Sequence, residues 1–289
     1  MSRIMKRTVI ISDAIYIKRL IMSIEENKSV ITAKNIRKEY VVKKHFLTGK
    51  VKEKVAAVKS VNFIVEEGKT LGIVGESGSG KSTTGEIVGG LQKPTYGSVY
   101  YYGKNIAEMT AEEHKEYRRN VQFIFQDPQG SMDPNYKIGE IISMPLFTLN
   151  IARDKKEANK MVDEILAKVG LDLNIKNKYP SEISGGQCQR AAIARALIVS
   201  PKVIICDEPV SALDVSIQAQ IINLLKKLQK ELNIAYIFIS HDIGVVNYMS
   251  DTIIVMQNGA VVEAGEAKHV LLHPAEEYTK KLLDSAIIN

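Results

Sequence analysis

The hydrophobic residues of this chain fall into short apolar runs typical of buried strands, separated by stretches with helical periodicity. Near-alternation of apolar and polar residues from Val55 to Val65 predicts a strand with one buried face. The pattern is mostly helical from Ala111 to Lys168. Together the elements predict an α/β fold with a small antiparallel lobe near the N-terminus. The apolar runs that predict buried strands are Val30–Ala33, Leu71–Val74, Val121–Phe125, Val203–Cys206 and Ile234–Ile239.

Glycine-rich and lysine-rich stretches predict where several of these elements end. A Lys-rich loop is expected from His45 to Lys54. A helix that starts near Lys81 is expected to end near Gly89. The sequence PTYGSVYYYGKNI then predicts a hairpin whose turn lies at Tyr96 and Gly97.

The first 21 residues are basic at the start and apolar afterwards. Asp13, Lys18 and Arg19 interrupt the apolar run, and no small-residue cleavage site follows, which argues against a secretory signal. Met22 provides a second plausible start. We therefore expect residues 1–28 to be an extension that folding and activity do not require.

Composition is that of an ordinary globular chain, and it limits the classes of partner. The 289 residues carry a formal net charge of +6, and residues 1–60 hold fifteen Lys and Arg against five Asp and Glu. We interpret this basic end as a solvated face rather than a nucleic-acid or anionic membrane surface. No run of eighteen uncharged apolar residues occurs in the sequence, so a membrane role would depend on a partner. The two cysteines lack C-x-x-C spacing and suit a reducing compartment.

The segment GESGSGKST, which we call the phosphate loop, fits the pattern G-x-x-x-x-G-K-[ST] directly after an apolar run. Its glycines permit a tight turn that points backbone N–H groups at phosphate oxygens, and the following helix adds its positive N-terminal end. Lys81 is expected to reach the β- and γ-phosphates, and Ser82 to ligate Mg²⁺. The expected nucleotide-binding residues of the loop are Gly75, Glu76, Ser77, Gly78, Ser79, Gly80, Lys81, Ser82 and Thr83.

A second glycine-rich helix start lies at Ile183–Gln187, ISGGQ, which we call the signature segment. Ser184, Gly185 and Gly186 there predict another anion-binding nest. Asp207 and Glu208 end a buried strand, where a Mg²⁺ ligand and a general base are wanted beside a phosphate loop.

Gln126 follows the apolar run VQFIF. Its amide oxygen is suited to ligating Mg²⁺, although a polar strand cap is the preferred explanation from this segment alone.

Six motifs in order make the chain similar to the ATP-binding subunits of ABC transporters, and more narrowly to those of bacterial oligopeptide and dipeptide importers. The resemblance covers about residues 30–283 and rests on GESGSGKST, FQDP, ISGGQ, VIICDEP, SALD and His241. The runs PVSALDVSIQAQIINLLKKLQ and FISHDIGVV resemble the second of the two ATPase subunits of peptide importers.

This resemblance implies a RecA-like P-loop ATPase core with an antiparallel β subdomain and an α-helical subdomain at about residues 110–181. Residues 29–271 would form the ABC ATP-binding domain, and residues 272–289 a short C-terminal tail.

The resemblance also implies roles for individual residues. Asp207, with Ser82 and Gln126, would hold Mg²⁺; Glu208 would polarise the attacking water. His241 would contact the γ-phosphate, and Gln126 would link the metal site to the membrane subunit. Tyr40 would stack on adenine, with His45 and Phe46 as rival candidates.

Ser184, Gly186 and Gln187 would contact ATP bound to the opposite subunit, so two chains would close head-to-tail around two nucleotides. Gly185 and Asp214, the latter in the motif SALD, complete the implied nucleotide-binding set.

The implied function is ATP hydrolysis that powers import of peptides, or of a related small solute such as a nickel chelate. The implied partners are a second ABC ATPase subunit, two transmembrane permease subunits and, through them, an extracytoplasmic solute-binding protein. The chain would then sit at the cytoplasmic face of the membrane and bind no nucleic acid. The alternative is a non-transport ABC ATPase of DNA repair or translation.

Three departures from the family pattern stand out. Cys188 occupies a position where Arg is common, and the tail reads HPAEEYTKKLL where HPYTKALL is usual. The chain also stops at Asn289, before the cysteine-bearing extension of several relatives, so we expect no iron–sulfur cluster.

Overall fold

The computed structural model describes residues 29–44 and 51–287, apart from the side chains of a few residues at the ends of these ranges. The N-terminal extension, His45 and Phe46 therefore lie outside the described residues. Strands and helices are numbered in chain order. The strands are β1 (Ser29–Lys44), β2 (Val51–Glu66), β3 (Thr70–Val74), β4 (Tyr96–Tyr101), β5 (Lys104–Asn105), β6 (Val121–Ile124), β7 (Val203–Asp207), β8 (Ala235–Ile239), β9 (Thr252–Gln257) and β10 (Ala260–Glu266). The helices are α1 (Lys81–Val88), α2 (Ala111–Asn120), α3 (Ile138–Thr148), α4 (Lys155–Lys168), α5 (Gly185–Leu197), α6 (Val215–Leu232), α7 (Ile243–Met249), α8 (Ala267–Leu272) and α9 (Glu277–Ile287).

The chain divides into two compact units, of which the first comprises residues 1–109 and 239–289. Its strands follow the order β5-β4-β1-β2-β10-β9-β3. The pairs β1/β2, β1/β4 and β9/β10 are antiparallel, whereas β3 runs parallel to β9. All five residues of β3 are buried, as expected for a parallel strand covered on both faces.

Two sequence predictions in this unit are wrong. The Lys-rich stretch before Lys54 is not a loop throughout, because strand pairing of β1 with β2 continues to Tyr40 opposite Val55 and Val41 opposite Lys54. Gly97 is not in a turn but in β4, and the turn to β5 lies at Tyr102 and Gly103. A Cβ on Gly97 would lie 2.2 Å from the carbonyl oxygen of Asn35, so glycine is needed there for close approach to β1.

The second unit comprises residues 110–238. Helices α2, α3 and α4 lie between residues 111 and 168, where the periodicity is mostly helical, and β6 separates α2 from α3. Strands β6 and β7 pair in parallel, with Val121 opposite Val203 and Ile124 opposite Cys206. Thr110 and Glu113 form a capping box that starts α2 and satisfies two N-terminal backbone N–H groups.

The core of the second unit is assembled from β7, β8 and the inner faces of the helices. Every residue of β7 and β8 is buried, and Tyr236 satisfies its buried hydroxyl by donating to the carbonyl oxygen of Leu225 in α6 at 3.0 Å. Burial raises the pKa of Tyr236 well above its ordinary value. In the described ranges, no helix has both the length and the apolar composition to cross a bilayer.

Candidate functional site

The phosphate loop joins β3 to α1 in the first unit, and its three glycines have positive φ angles. These angles are 151° at Gly75, 78° at Gly78 and 99° at Gly80. A Cβ at Gly75 would lie 2.2 Å from the carbonyl oxygen of Met256, and one at Gly80 would lie 2.5 Å from that of Ala57. At Gly78 a Cβ would meet no atom within 4 Å. Neighbouring backbone therefore packs closely against the phosphate loop at Gly75 and Gly80, whereas the space around Gly78 is open.

Lys81 folds its side chain back over the loop. Its ammonium donates to the carbonyl oxygens of Gly75 at 2.7 Å and Glu76 at 2.8 Å, and the residue is 5% exposed. Helix α1 starts at Lys81 without a side-chain cap at Gly80, while Ser82 on its first turn is exposed. Backbone N–H groups at a helix start, a lysine ammonium and a serine hydroxyl are the groups that a Mg²⁺-bound phosphate chain requires.

Tyr40 lies near the outer end of β1 and is 38% exposed. Its hydroxyl donates to Gln92 Oε1 at 2.7 Å, and Gln92 in turn donates to Glu86 of α1 at 2.6 Å. The Lys38 ammonium lies 5.3 Å from the centre of the Tyr40 ring. The ring is thus tethered to the helix that follows the phosphate loop, and its role as the adenine-stacking residue stays a prediction.

His241 is exposed on the short segment between β8 and α7. The preceding residue, Ser240, donates its backbone N–H to the carbonyl oxygen of Ile73 in β3 at 3.2 Å. Asp242 then caps α7 by accepting the N–H of Val245 at 3.1 Å. These bonds fix the backbone on both sides of His241, close to the strand that leads into the phosphate loop.

In the second unit, the parallel pairing of β6 with β7 brings together two residues from separate motifs. Ile124 and Cys206 are paired, and two residues beyond each of them lie Gln126 and Glu208. Gln126 Nε2 donates to Glu208 Oε2 at 3.0 Å. The preceding residue, Asp207, is 8% exposed. An amide and a carboxylate from separate motifs therefore meet at the carboxyl ends of two neighbouring parallel strands.

The backbone of Glu208 is left-handed, with a φ of 44°. Few non-glycine residues adopt this conformation, which costs about 1–2 kcal/mol. Its carbonyl oxygen accepts the hydroxyl of Ser211 at 3.1 Å, which stabilises the turn that follows. Asp214 ends this turn and is the N-cap position of α6.

The signature segment starts α5 with a capping box. Ser184 Oγ accepts the N–H of Gln187 at 3.3 Å, and Gln187 Oε1 accepts the N–H of Ser184 at 3.0 Å. A Cβ on Gly186 would lie 2.8 Å from Ile217 Cγ2, and one on Gly185 would lie 3.5 Å from Leu213. Gly186 therefore allows the start of α5 to pack closely against the start of α6, whereas a Cβ at Gly185 would make an ordinary van der Waals contact.

Cys188 is buried in α5, where its thiol lies 3.6 Å from the carbonyl oxygen of Pro180. Burial raises the pKa of this thiol, with a smaller contribution from Asp127. At this departure from the family pattern, the chain therefore carries a small neutral side chain in its interior.

One contact at the phosphate loop has no counterpart in the sequence predictions. The Tyr278 hydroxyl accepts the backbone N–H of Glu76 at 3.1 Å, across 202 residues of sequence. Both residues belong to the first unit. No periodicity or spacing relates two positions so far apart, so the sequence alone carries no signal for this contact.

Comparisons with known proteins agree with this arrangement. The family model described as ABC transporter matches residues 58–211. The oligopeptide transport ATP-binding protein OppF of Salmonella typhimurium is 50% identical over 232 residues, which cover 80% of this chain and 70% of that protein. The dipeptide transport ATP-binding protein DppF of Haemophilus influenzae is 42% identical, with 91% of this chain and 79% of that protein covered.

Among solved structures, the ATP-binding cassette MJ0796, in a dimeric post-hydrolysis state bound to ADP and Pi, has a TM-score of 0.72 and 34% identity. The match covers 82% of this chain and 98% of that one. The predicted fold class, an ABC nucleotide-binding domain with α/β architecture, is thereby confirmed. The chain belongs to the ABC transporter family, as one of its ATP-binding and ATP-hydrolysing members.

Proposed function

We propose that this chain powers the import of peptides through a membrane ABC transporter. The names of relatives at 42% and 50% identity, DppF and OppF, support peptides as the substrate class. The observation that carries the catalytic assignment is the 3.0 Å hydrogen bond between Gln126 and Glu208, because it joins a proposed Mg²⁺ ligand to the proposed base.

In the proposed reaction, the phosphate loop binds the β- and γ-phosphates of ATP through its backbone N–H groups and the ammonium of Lys81. Mg²⁺, when bound, neutralises charge on the phosphates, and Ser82, Gln126 and Asp207 are the residues that would hold it. Their hydroxyl, amide and carboxylate oxygens are ligands that Mg²⁺ accepts, and one carboxylate suffices because substrate phosphates and waters complete its shell.

Glu208 orients and polarises the attacking water in this proposal, and His241 contacts the γ-phosphate. The hydrogen bond from Gln126 to Glu208 Oε2 supports this role, because a general base must be positioned beside the attacking water. Phosphoryl transfer depends on such positioning and on charge stabilisation more than on covalent chemistry.

The signature segment and Asp214 act, in this proposal, on ATP bound to the opposite ATPase subunit. The partners are a second ABC ATPase, two permease subunits and, through them, a solute-binding protein. The chain would work at the cytoplasmic face of the membrane. Residues 29–271 would form its ATPase domain, with the helical subdomain at about residues 110–181.

Reconstitution tests this function. The purified chain alone should hydrolyse ATP weakly and be mostly monomeric. In vesicles that contain the second ATPase and the permease, peptide-loaded binding protein should stimulate hydrolysis and peptide accumulation. The Glu208→Gln chain, assembled in the same vesicles, is the matched control and should abolish accumulation. Full activity as a homodimer without the other subunits, or stimulation by nucleic acid instead of peptide, would contradict the proposal.

A further inference from the structure

The C-terminal helix α9 is fixed at its start by a carboxylate from β10. Glu263 accepts the backbone N–H groups of Ala275 at 2.8 Å and Glu276 at 3.2 Å. A carboxylate at this end of a helix is favoured by the helix dipole as well as by the hydrogen bonds. Ala275 and Glu276 lie within the additional residues of HPAEEYTKKLL, so this departure from the family pattern supplies the groups that anchor the helix.

Tyr278 lies in the first turn of this anchored helix. The next residue, Thr279, is 1% exposed, so one face of α9 is buried within the first unit. Tyr278 itself is half-buried, and its hydroxyl accepts the backbone N–H of Glu76 in the phosphate loop. The tail of the chain thus contacts the loop directly.

The peptide groups of Glu76 are bonded on both sides. The N–H is bonded to Tyr278, while the carbonyl oxygen accepts the ammonium of Lys81 at 2.8 Å and the backbone N–H of Ser79 at 3.2 Å. Glu76 is otherwise exposed. The Gly75–Glu76 peptide group is therefore bonded at both ends, because its carbonyl oxygen accepts the Lys81 ammonium at 2.7 Å and its N–H donates to the Tyr278 hydroxyl.

We propose that Tyr278 is a positioning residue, which fixes the first turn of the phosphate loop and so raises the affinity of the chain for ATP. It acts through Glu76, and hence through Lys81. The proposal rests on the assignment of ATP binding to the phosphate loop. It gives the tail a role in nucleotide binding.

The test uses the full-length chain with Tyr278→Phe, which removes only the hydroxyl. Because one net hydrogen bond is lost, the Kd for Mg²⁺–ATP, measured by calorimetry, should rise about two- to tenfold. The backbone amide of Glu76 should also exchange its hydrogen faster in the nucleotide-free protein. Glu263→Gln, which weakens the anchor of α9, should change both quantities in the same direction but by less.

Tyr96→Phe is the matched control, since Tyr96 lies in the same unit and is 61% exposed. It should leave the Kd and the exchange rate of Glu76 unchanged. A lower melting temperature of Tyr278→Phe with unchanged Kd would mean a merely structural role and would overturn the proposal, as would an equal change in Tyr96→Phe. Absence of ATP binding in the wild-type chain would instead overturn the assignment of the phosphate loop itself.

Discussion

The phosphate loop and the signature segment both place glycines at a helix start, but glycine serves a different purpose in each. In the phosphate loop, Gly75, Gly78 and Gly80 have positive φ angles, and α1 starts without a side-chain cap. In the signature segment, Gly185 and Gly186 are within α5, and Gly186 is needed because Ile217 lies too close for a Cβ.

The N-terminal donors of the two helices differ accordingly. The N-cap residue of α1, Gly80, has no side chain that could bond the backbone N–H groups there, whereas Ser184 and Gln187 of the signature segment bond to each other's backbone. A glycine-rich helix start is thus not sufficient to indicate a complete phosphate site. We infer that the phosphate loop binds nucleotide by itself and that the signature segment requires a partner subunit.

The largest expected effect separates turnover from binding. Glu208→Gln keeps the shape of the side chain and an oxygen that accepts from Gln126, but removes its charge and basicity. The rate of ATP hydrolysis by the assembled transporter should fall by roughly 10²- to 10⁴-fold, with ATP affinity nearly unchanged. Glu231→Gln, a change on the exposed surface of α6, is the control and should preserve the rate. Wild-type turnover in Glu208→Gln would show that Glu208 is not the base.

The next largest effect tests the difference between the phosphate loop and the signature segment directly. Lys81→Ala removes a charged donor from the phosphate loop and should weaken ATP binding by the isolated chain about ten- to hundredfold. Gln187→Ala in the signature segment should leave that affinity unchanged, although it should slow hydrolysis by the assembled transporter. Calorimetric titration of both isolated variants checks this difference. Equal losses of affinity would show that both helix starts contact the same nucleotide within one chain.

The smallest effect concerns the cap of α5. Ser184→Ala removes the hydroxyl that accepts the N–H of Gln187 and should lower the free energy of unfolding by about 1 kcal/mol. Ser184→Thr keeps a hydroxyl and should retain most of that stability. Denaturant unfolding of the nucleotide-free chain measures both. Unchanged stability of Ser184→Ala would mean that the helix start is not capped in solution, and the contrast with α1 would fail.

Short motifs predicted the local features of this site well because their physics is local. The positive φ angles of the phosphate loop and the strand-end position of Glu208 follow from residue types at fixed spacing. The position of Gln126 beside Glu208 can also be predicted from the sequence, since the carboxyl ends of neighbouring parallel strands lie at the same side of a sheet.

Contacts between residues that are far apart in the sequence could not be predicted from the sequence alone. The local sequence predicts a turn at Gly97, whereas the close approach of Asn35 in β1 is what requires glycine there. The sequence predicts the inner part of the β1/β2 hairpin but not its outer end, because polar lysines mask strand pairing there. The contact of Tyr278 with Glu76 joins α9 to a loop about 200 residues earlier in the chain, which no local pattern encodes.

The left-handed backbone of Glu208 has a consequence for attempts to engineer this chain. Glycine and asparagine tolerate that conformation better than glutamate, so either replacement should relieve strain of about 1–2 kcal/mol. A library selected for thermal resistance or expression would therefore enrich changes at this position while it discards the carboxylate. Selection for stability and selection for ATP hydrolysis therefore oppose each other at Glu208, and screens of this protein need to measure both properties.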